Sequence, residues 1–445
     1  MINGIYKIKF WTILFTAVLF VTNVLAQQKR MLTLDQSIQI GIQNSKILHS
    51  SKMKIMSAEA QLSQVNASML PSLSAGASYT RLSSINPFEV QTPFGTFVIS
   101  PSILNNYSAN ISLQQPLFTG FKLSSSSNIA RYNSLAAKQD YNKDEQDVVY
   151  SIKSAYWNLY LAGNVKQAVD ENVQEVKAHL QDIQNFFKQG LATRNEVLKV
   201  EVQLSQSQLS QIDAQNAVDL AVVNLDNAIG LPLTTEVEVQ KNVDVESEDI
   251  AGLSQLIDMA IKNRPELKSM QYQIDASKSG ITLAEADYYP QVSLSGEYVY
   301  AQPNQRILPT QNQFKGTWDV SLGLSLKLWN WGATKDQTTQ AEARYEQAND
   351  SFKTLKDAVT LDVTQSYFNM VKAKEKVFVT KQGVSQAEEN YRVTDEKFKQ
   401  GLTLNSELLD AEAALMQAKT NYAQAVVDYK LAQAQLEKAT GGKIN

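Results

Sequence analysis

The sequence predicts a mainly α-helical chain that carries a few membrane-type β-strands. Three observations predict it: an internal duplication, two pairs of short segments that alternate apolar with polar residues, and proline-free helical stretches too long for a compact core.

The duplication is direct. Leu34, Gln36, Ile38, Ile42, Asn44, Leu48, Ser50, Ile55 and Pro71 recur 219 positions later as Leu253, Gln255, Ile257, Ile261, Asn263, Leu267, Ser269, Ile274 and Pro290. Tyr156, Asn158, Phe187, Gly190, Glu196, Glu201 and Leu204 recur 211 positions later as Tyr367, Asn369, Phe398, Gly401, Glu407, Glu412 and Leu415. The second offset is eight shorter, so the second copy lacks eight residues between roughly Tyr298 and Trp318. Length changes concentrate in loops, which marks that stretch as one. The expected organisation is a leader at 1–26, a first repeat at 27–230, an equatorial linker at 231–250 and a second repeat at 251–445. The linker includes the acidic, partly alternating run Glu236-Val237-Glu238-Val239.

The leader follows from Lys7 and Lys9, the apolar run Phe10 to Val21, and Val24-Leu25-Ala26, which fits a signal-peptidase site. An uncleaved anchor is the alternative, but the run is shorter than the roughly 20 residues a bilayer needs. The absence of cysteine fits an oxidising compartment and excludes a lipidated amino-terminal cysteine. Removing the leader takes two of the 41 Lys and Arg, leaving 39 against 45 Asp and Glu and a net charge of −6. That balance argues against nucleic acid as a partner.

The first strand pair is expected at 72–81 and 107–118, the second at 291–300 and 318–328. Tyr107, Ala109, Ile111 and Leu113 alternate with Ser108, Asn110, Ser112 and Gln114; Trp318, Val320, Leu322 and Leu324 alternate with Asp319, Ser321, Gly323 and Ser325. Each pair is joined by a loop rich in proline, Pro87, Pro93 and Pro101 in the first, Pro303 and Pro309 in the second. The rest of each repeat reads as helix. No proline lies between Pro116 and Pro232 or after Pro309, and residues 122–189 would extend about 100 Å at roughly 1.5 Å per residue. Gly190 and Gly401 are placed to end these helices, and a second helix returns from about Arg194 to Ile229 and from Asn405 to Ala439.

Strands of about ten residues with one apolar face suit an outer membrane. Open edges in lipid cost several kcal/mol per unpaired backbone group, and four strands are too few to close on themselves, since single-chain barrels begin at about eight. Several chains must then share one barrel, and three copies supply twelve strands. Aromatic residues mark both ends of the strands: Tyr79, Tyr107, Tyr298, Tyr300 and Trp318 on the loop side, Phe118, Phe121, Trp329 and Trp331 on the helix side.

The doubled plan, the stretch Leu34 to Pro71 with Ser45 where the second copy has Asn263-Arg264-Pro265, and the helix ends Phe187-Lys188-Gln189-Gly190-Leu191 and Phe398-Lys399-Gln400-Gly401-Leu402 resemble the TolC-type outer-membrane efflux proteins. The resemblance covers residues 30–442. It implies a homotrimer: a twelve-stranded β-barrel, four strands per chain, in the outer membrane of a Gram-negative bacterium, continued by a long α-helical barrel in the periplasm. It also implies an exit duct that takes substrate from an inner-membrane transporter through a periplasmic adaptor, or membrane fusion protein. The same resemblance assigns a pore gate to Glu407 and Asp410, with Glu196 the first-copy counterpart of Glu407. First-turn carboxylates favoured by the helix dipole are the competing reading. Adaptor contact falls to Gly190, Leu191, Gly401 and Leu402, although the family carries Val-Gly-Leu or Val-Gly-Thr where this chain has Gln-Gly-Leu. A helix cap alone is the competing role.

No catalytic, cofactor or metal constellation emerges. His49 and His179 are isolated in sequence and read as solvated helical residues. Gly332-Ala333-Thr334-Lys335 lacks phosphate-loop spacing, and the acidic residues are spread along helix faces. A periplasmic helical scaffold without a pore is the alternative function; it explains the helices but not the paired alternating strands. The transported substrate is not encoded in any motif.

Overall fold

The computed structural model describes residues 30–240 and 251–442. The expected leader at 1–26 and the second half of the linker, 241–250, lie outside the described residues. In order, the chain forms β1 (Arg30–Leu32), α1 (Leu34–Asn44), α2 (Lys46–Ala67), β2 (Ser72–Arg81), β3 (Phe88–Thr92), β4 (Gly95–Ser100), β5 (Asn105–Thr119), α3 (Lys122–Lys188) and α4 (Arg194–Ile229). There follow β6 (Val237–Val239), α5 (Leu253–Asn263), α6 (Pro265–Glu285), β7 (Gln291–Gln302), β8 (Lys315–Ser325), α7 (Ala333–Lys399) and α8 (Asn405–Ala439). These fall into two compact units.

One unit comprises, among the described residues, 46–147, 251–369 and 435–442 and contains the membrane-type sheet, ordered β2-β5-β7-β8 with every neighbour antiparallel. Pro116 sits inside β5, where proline would remove a ladder hydrogen bond; the register shifts between Pro116 and Phe118, so a bulge absorbs it. The strand-to-helix turns use consecutive left-handed residues, Gly120 and Phe121 before α3, Trp331 and Gly332 before α7. A Cβ on Gly120 would lie 2.4 Å from the Ala286 carbonyl oxygen, so that corner admits only glycine. Helix packing in this unit is tied by Arg264, nearly buried between α5 and α6. Its guanidinium lies 2.6 Å from Glu266 and 2.5 Å from Asp362 and donates to the Ala439 carbonyl at 3.3 Å.

The other unit comprises, among the described residues, 30–45, 148–240 and 370–434. Its core is built from Ile152, Tyr156, Val173, Val197, Leu225, Ile229, Val377, Leu408 and Val427, apolar residues from several helices rather than one stripe per helix. The α1 helix starts on a Thr33–Gln36 capping box and packs against α4, where Asn44 Nδ2 donates to the Ile229 carbonyl at 3.1 Å. A small parallel pair, β1 with β6, completes the unit: Leu32 lies opposite Val239.

Each repeat opens with two helices, broken where Ser45 and Arg264 leave helical backbone and Pro265 starts the second helix of the later pair at its first position. Two local readings need correction. The last strand begins at Lys315 and ends at Ser325, so 326–328 continue its alternation without pairing. The 82–106 loop contains the β3–β4 hairpin, which its prolines concealed.

Candidate functional site

The sheet presents two chemically distinct faces because all four strands share one register. Leu73, Leu113, Gly296 and Val320 lie in one row across the sheet, and Ala75, Ile111, Tyr298 and Trp318 in the next. That face is bare: Leu73, Trp318, Leu322 and Leu324 are each about 70% exposed (71%, 72%, 69% and 71%). Exposed apolar area of that extent marks a surface that meets something other than water. The opposite face carries Ser74, Ser112, Glu297 and Asp319 in one row, with Asn110 Nδ2 donating to Glu297 at 2.9 Å. Alternation alone separates the two faces, as the sequence predicted.

Aromatic rings collect at both strand ends. Tyr79 packs on Tyr107 at 5.0 Å, and Phe314 bridges Tyr107 at 6.0 Å to Tyr300 at 5.2 Å. At the other end Phe118, Phe121 and Tyr289 form successive edge-to-face contacts of 5.4 and 5.3 Å, and Trp329 meets Trp331 at 5.8 Å. Eleven residue-to-residue steps along β5 lead from Tyr107 to Phe118. At roughly 3.3 Å per residue and a tilt near 45°, that spans about 25 Å, the height of an outer-membrane apolar band. Phe314 and Tyr289 were missed in the sequence because they stand outside the alternating segments. Adjacency to the strand start and to Pro290 was the available signal.

β2 and β8 are the sheet's outer strands, and each has one unpaired edge. With four strands in alternating direction, β8 of one copy meets β2 of another antiparallel, so identical sheets can be joined edge to edge without a mismatch.

The helix tips lie in the other unit. Gly190 and Gly401 have φ of 77° and 70°, and each closes its helix with paired bonds: Leu191 N–H to the Phe186 carbonyl and Gly190 N–H to Phe187, then Leu402 N–H to Lys397 and Gly401 N–H to Phe398. Nothing lies within 4 Å of a Cβ built on either glycine, and Leu191 and Leu402 are exposed. Beneath them Val176, Ile183, Val197, Val200, Phe398 and Leu408 form a buried cluster that joins the two helical hairpins.

The three acidic residues singled out in the sequence are not equivalent. Glu196 closes a capping box, accepting from the Thr193 N–H at 2.6 Å and the Thr193 hydroxyl at 2.9 Å. Those bonds hold its carboxyl below the usual range. In the second copy Leu404 stands where Thr193 would be, the box is lost, and Glu407 accepts only from Thr403. Glu407 and Asp410 are exposed.

His179 contradicts its sequence reading as a solvated residue. It is buried at 3% exposure, with Nε2 2.7 Å from Asn405 Oδ1, Nδ1 3.2 Å from Glu412 Oε1 and its ring edge-on to Phe398 at 4.8 Å. His49 is exposed, as expected.

Residues 38–231 and 256–442 match the model of the family described as outer membrane efflux protein. The chain is 26% identical over 345 residues to the alkaline protease secretion protein AprF of Pseudomonas aeruginosa, spanning 76% of this chain and 70% of that protein. It is 23% identical over 307 residues to the outer membrane protein TolC of Vibrio cholerae, spanning 68% and 70%. Among solved structures, VceC of Vibrio cholerae superposes with a TM-score of 0.77 at 18% identity, covering 93% of this chain and 97% of that one. CusC superposes at 0.77 and 17% identity, covering 92% of each. The duplicated sequence, the two-faced sheet and the long helical hairpins are those of the outer membrane efflux protein family, to which this chain belongs as a channel and not an enzyme.

Proposed function

We propose that this outer-membrane exit duct works as a homotrimer whose three sheets close into one twelve-stranded barrel, passing substrate from an inner-membrane transporter by way of a periplasmic adaptor. It resides in the outer membrane of a Gram-negative bacterium with most of its mass in the periplasm. The observation that carries the trimer is the four-stranded sheet with a bare apolar face and two free edges, which only sister chains can satisfy in lipid. The two repeats, 27–230 and 251–445, each supply one strand pair and one helical hairpin, with 231–250 as the linker between them. Relatives named for protease secretion and for toxin and drug export support a tripartite efflux or type I secretion system.

In this reading Glu407 and Asp410 line a periplasmic gate, and the glycine turns with Leu191 and Leu402 receive the adaptor. Tyr79, Tyr107, Phe118, Tyr298, Tyr300, Trp318, Trp329 and Trp331 seat the barrel at the lipid interfaces. The mature chain purified in detergent should migrate as a heat-modifiable trimer and conduct ions in planar bilayers. A water-soluble monomer that never conducts would overturn the reading in favour of a periplasmic scaffold.

A further inference from the structure

The connection between β2 and β5 is a ribbon that stands clear of the rest of the chain. Beyond the last ladder pair, Arg81 with Asn105, the Leu82 N–H still donates to the Leu104 carbonyl at 2.8 Å, and β3 and β4 then pair from Phe88 up to Thr92 and Gly95. Thr92 closes the turn: its hydroxyl donates to the Gly95 carbonyl at 2.9 Å and accepts from the Phe94 N–H at 3.3 Å. The ribbon thus prolongs β2 and β5 past the aromatic girdle at Tyr79 and Tyr107. The counterpart connection of the second repeat, between β7 and β8, forms no hairpin.

Its composition suits an interface better than water. Residues 82–104 hold a single charge, Glu89, among Ile85, Phe88, Val90, Phe94, Phe97 and Ile99. Every residue from 71 to 99 is exposed, and Phe94 at the tip is 94% so. Two strands alone are marginally stable in water, and apolar side chains that face solvent do not hold them together. The ribbon needs a cover. Its own chain supplies none, and the bilayer lies on the other side of the girdle.

The free edge identifies the cover. β2 is an outer strand of the sheet, and β3 continues from that edge. The return limb differs, because residues 101–106 are partly buried and Tyr107 packs on Phe314 of the chain's own β7–β8 loop. The chain's own loop therefore flanks the β5 side, and the β2 side is left empty. When β2 joins β8 of the next copy antiparallel, the end of β2 at Arg81 meets the start of β8 at Lys315. That brings the next copy's loop 303–314 beside the uncovered limb. The chemistry matches: Leu308 in that loop is 82% exposed, and the loop's single charge, Arg306, is opposite in sign to Glu89.

We propose that the β3–β4 ribbon is an intermolecular latch, laid against the β7–β8 loop of the neighbouring copy. Three such contacts seal the three β2–β8 seams on the extracellular side of the barrel. The latch rests on the homotrimer reading and adds to it a named contact across each seam.

The lack of cysteine makes the test direct. In the detergent-solubilised trimer, Val90→Cys with Leu308→Cys, treated with a flexible bis-maleimide, should give covalent dimers and trimers that survive boiling. Val90→Cys, Leu308→Cys and Phe94→Cys, each alone, should give none. Replacing residues 86–102 by a short Gly-Ser turn should lower the temperature at which the trimer dissociates on gels by several degrees and leave single-channel conductance unchanged. An unlinked double variant that still migrates as a heat-modifiable trimer would overturn the latch. So would a shortened chain whose trimer dissociates at the wild-type temperature. Linked Phe94→Cys tips, or a raised conductance in the shortened chain, would overturn it too and place the three ribbons over the pore mouth. A wild-type chain that runs as a monomer even unheated would instead overturn the trimer on which the latch rests.

Discussion

Glu297 of β7 and Asp319 of β8 stand directly opposite each other on the polar face of the sheet. Two like charges in that position destabilise a strand pair, and the sheet offsets them only with the Asn110 amide on Glu297 and Arg306, 3.4 Å from Asp319. In a closed trimer the row becomes a ring of carboxylates around the lumen, and such rings favour cations. Neutralising both, Glu297→Gln with Asp319→Asn, should lower the cation-over-anion permeability ratio by about threefold. Reversal potentials in a salt gradient read this directly; an unchanged ratio would place the polar face outside the conducting path.

Glu407 and Asp410 are exposed and close to the helix start, and three copies near one axis would attract divalent cations. Glu407→Ala with Asp410→Ala should weaken divalent block by about tenfold and alter single-channel conductance. Glu196→Ala should leave block alone, because its carboxylate is engaged in the Thr193 capping box, and should instead cost about 1 kcal/mol of stability. Since that carboxyl is held below its ordinary range, its stabilising contribution is present at neutral pH and fades as acid protonates it. Block that survives the double replacement would remove the gate assignment.

Gly401 needs its positive φ but has open space around it. Gly401→Leu should therefore cost about 1–2 kcal/mol of backbone strain without an internal clash, and the trimer should persist on gels. Export of a reporter should nevertheless fail if the turn receives the adaptor. Loss of the trimer itself would reduce the glycine to a helix cap.

Asp226 is fully buried near the end of α4 with no well-formed hydrogen bond to its carboxylate beyond a weak approach of the Thr235 backbone, and burial pushes its pKa up to about 6. The backbone at Thr235 offsets this only in part. A carboxyl whose folded pKa exceeds its unfolded one binds more protons when folded. Its penalty is absent below about pH 4 and grows as pH rises through 6, by up to about 3 kcal/mol. Asp226→Asn should raise the melting temperature at pH 7.5 and leave it nearly unchanged at pH 4. Equal shifts at both values would contradict the burial argument.

Much of the fold was legible because it rests on periodicity. The rows Leu73–Leu113 and Ile111–Tyr298–Trp318 follow from a two-residue repeat, and the helix ends at Gly190 and Gly401 follow from local turn chemistry. The β3–β4 hairpin was hidden because its flanking prolines read as loop. His179 was misread because its partners lie 226 and 233 positions away, a separation no local pattern spans. Departure from the repeat at 179 and 405 was the one sign that these positions do something their copies do not.

The sequence by itself determined which faces are apolar, where the long helices stop and that the plan is written twice, since each depends on neighbours a few residues apart. Tertiary structure alone decided that a histidine of one repeat is buried against a glutamate of the other. Burial and charge pairing depend on which distant segments meet, and that is settled only when the helices pack.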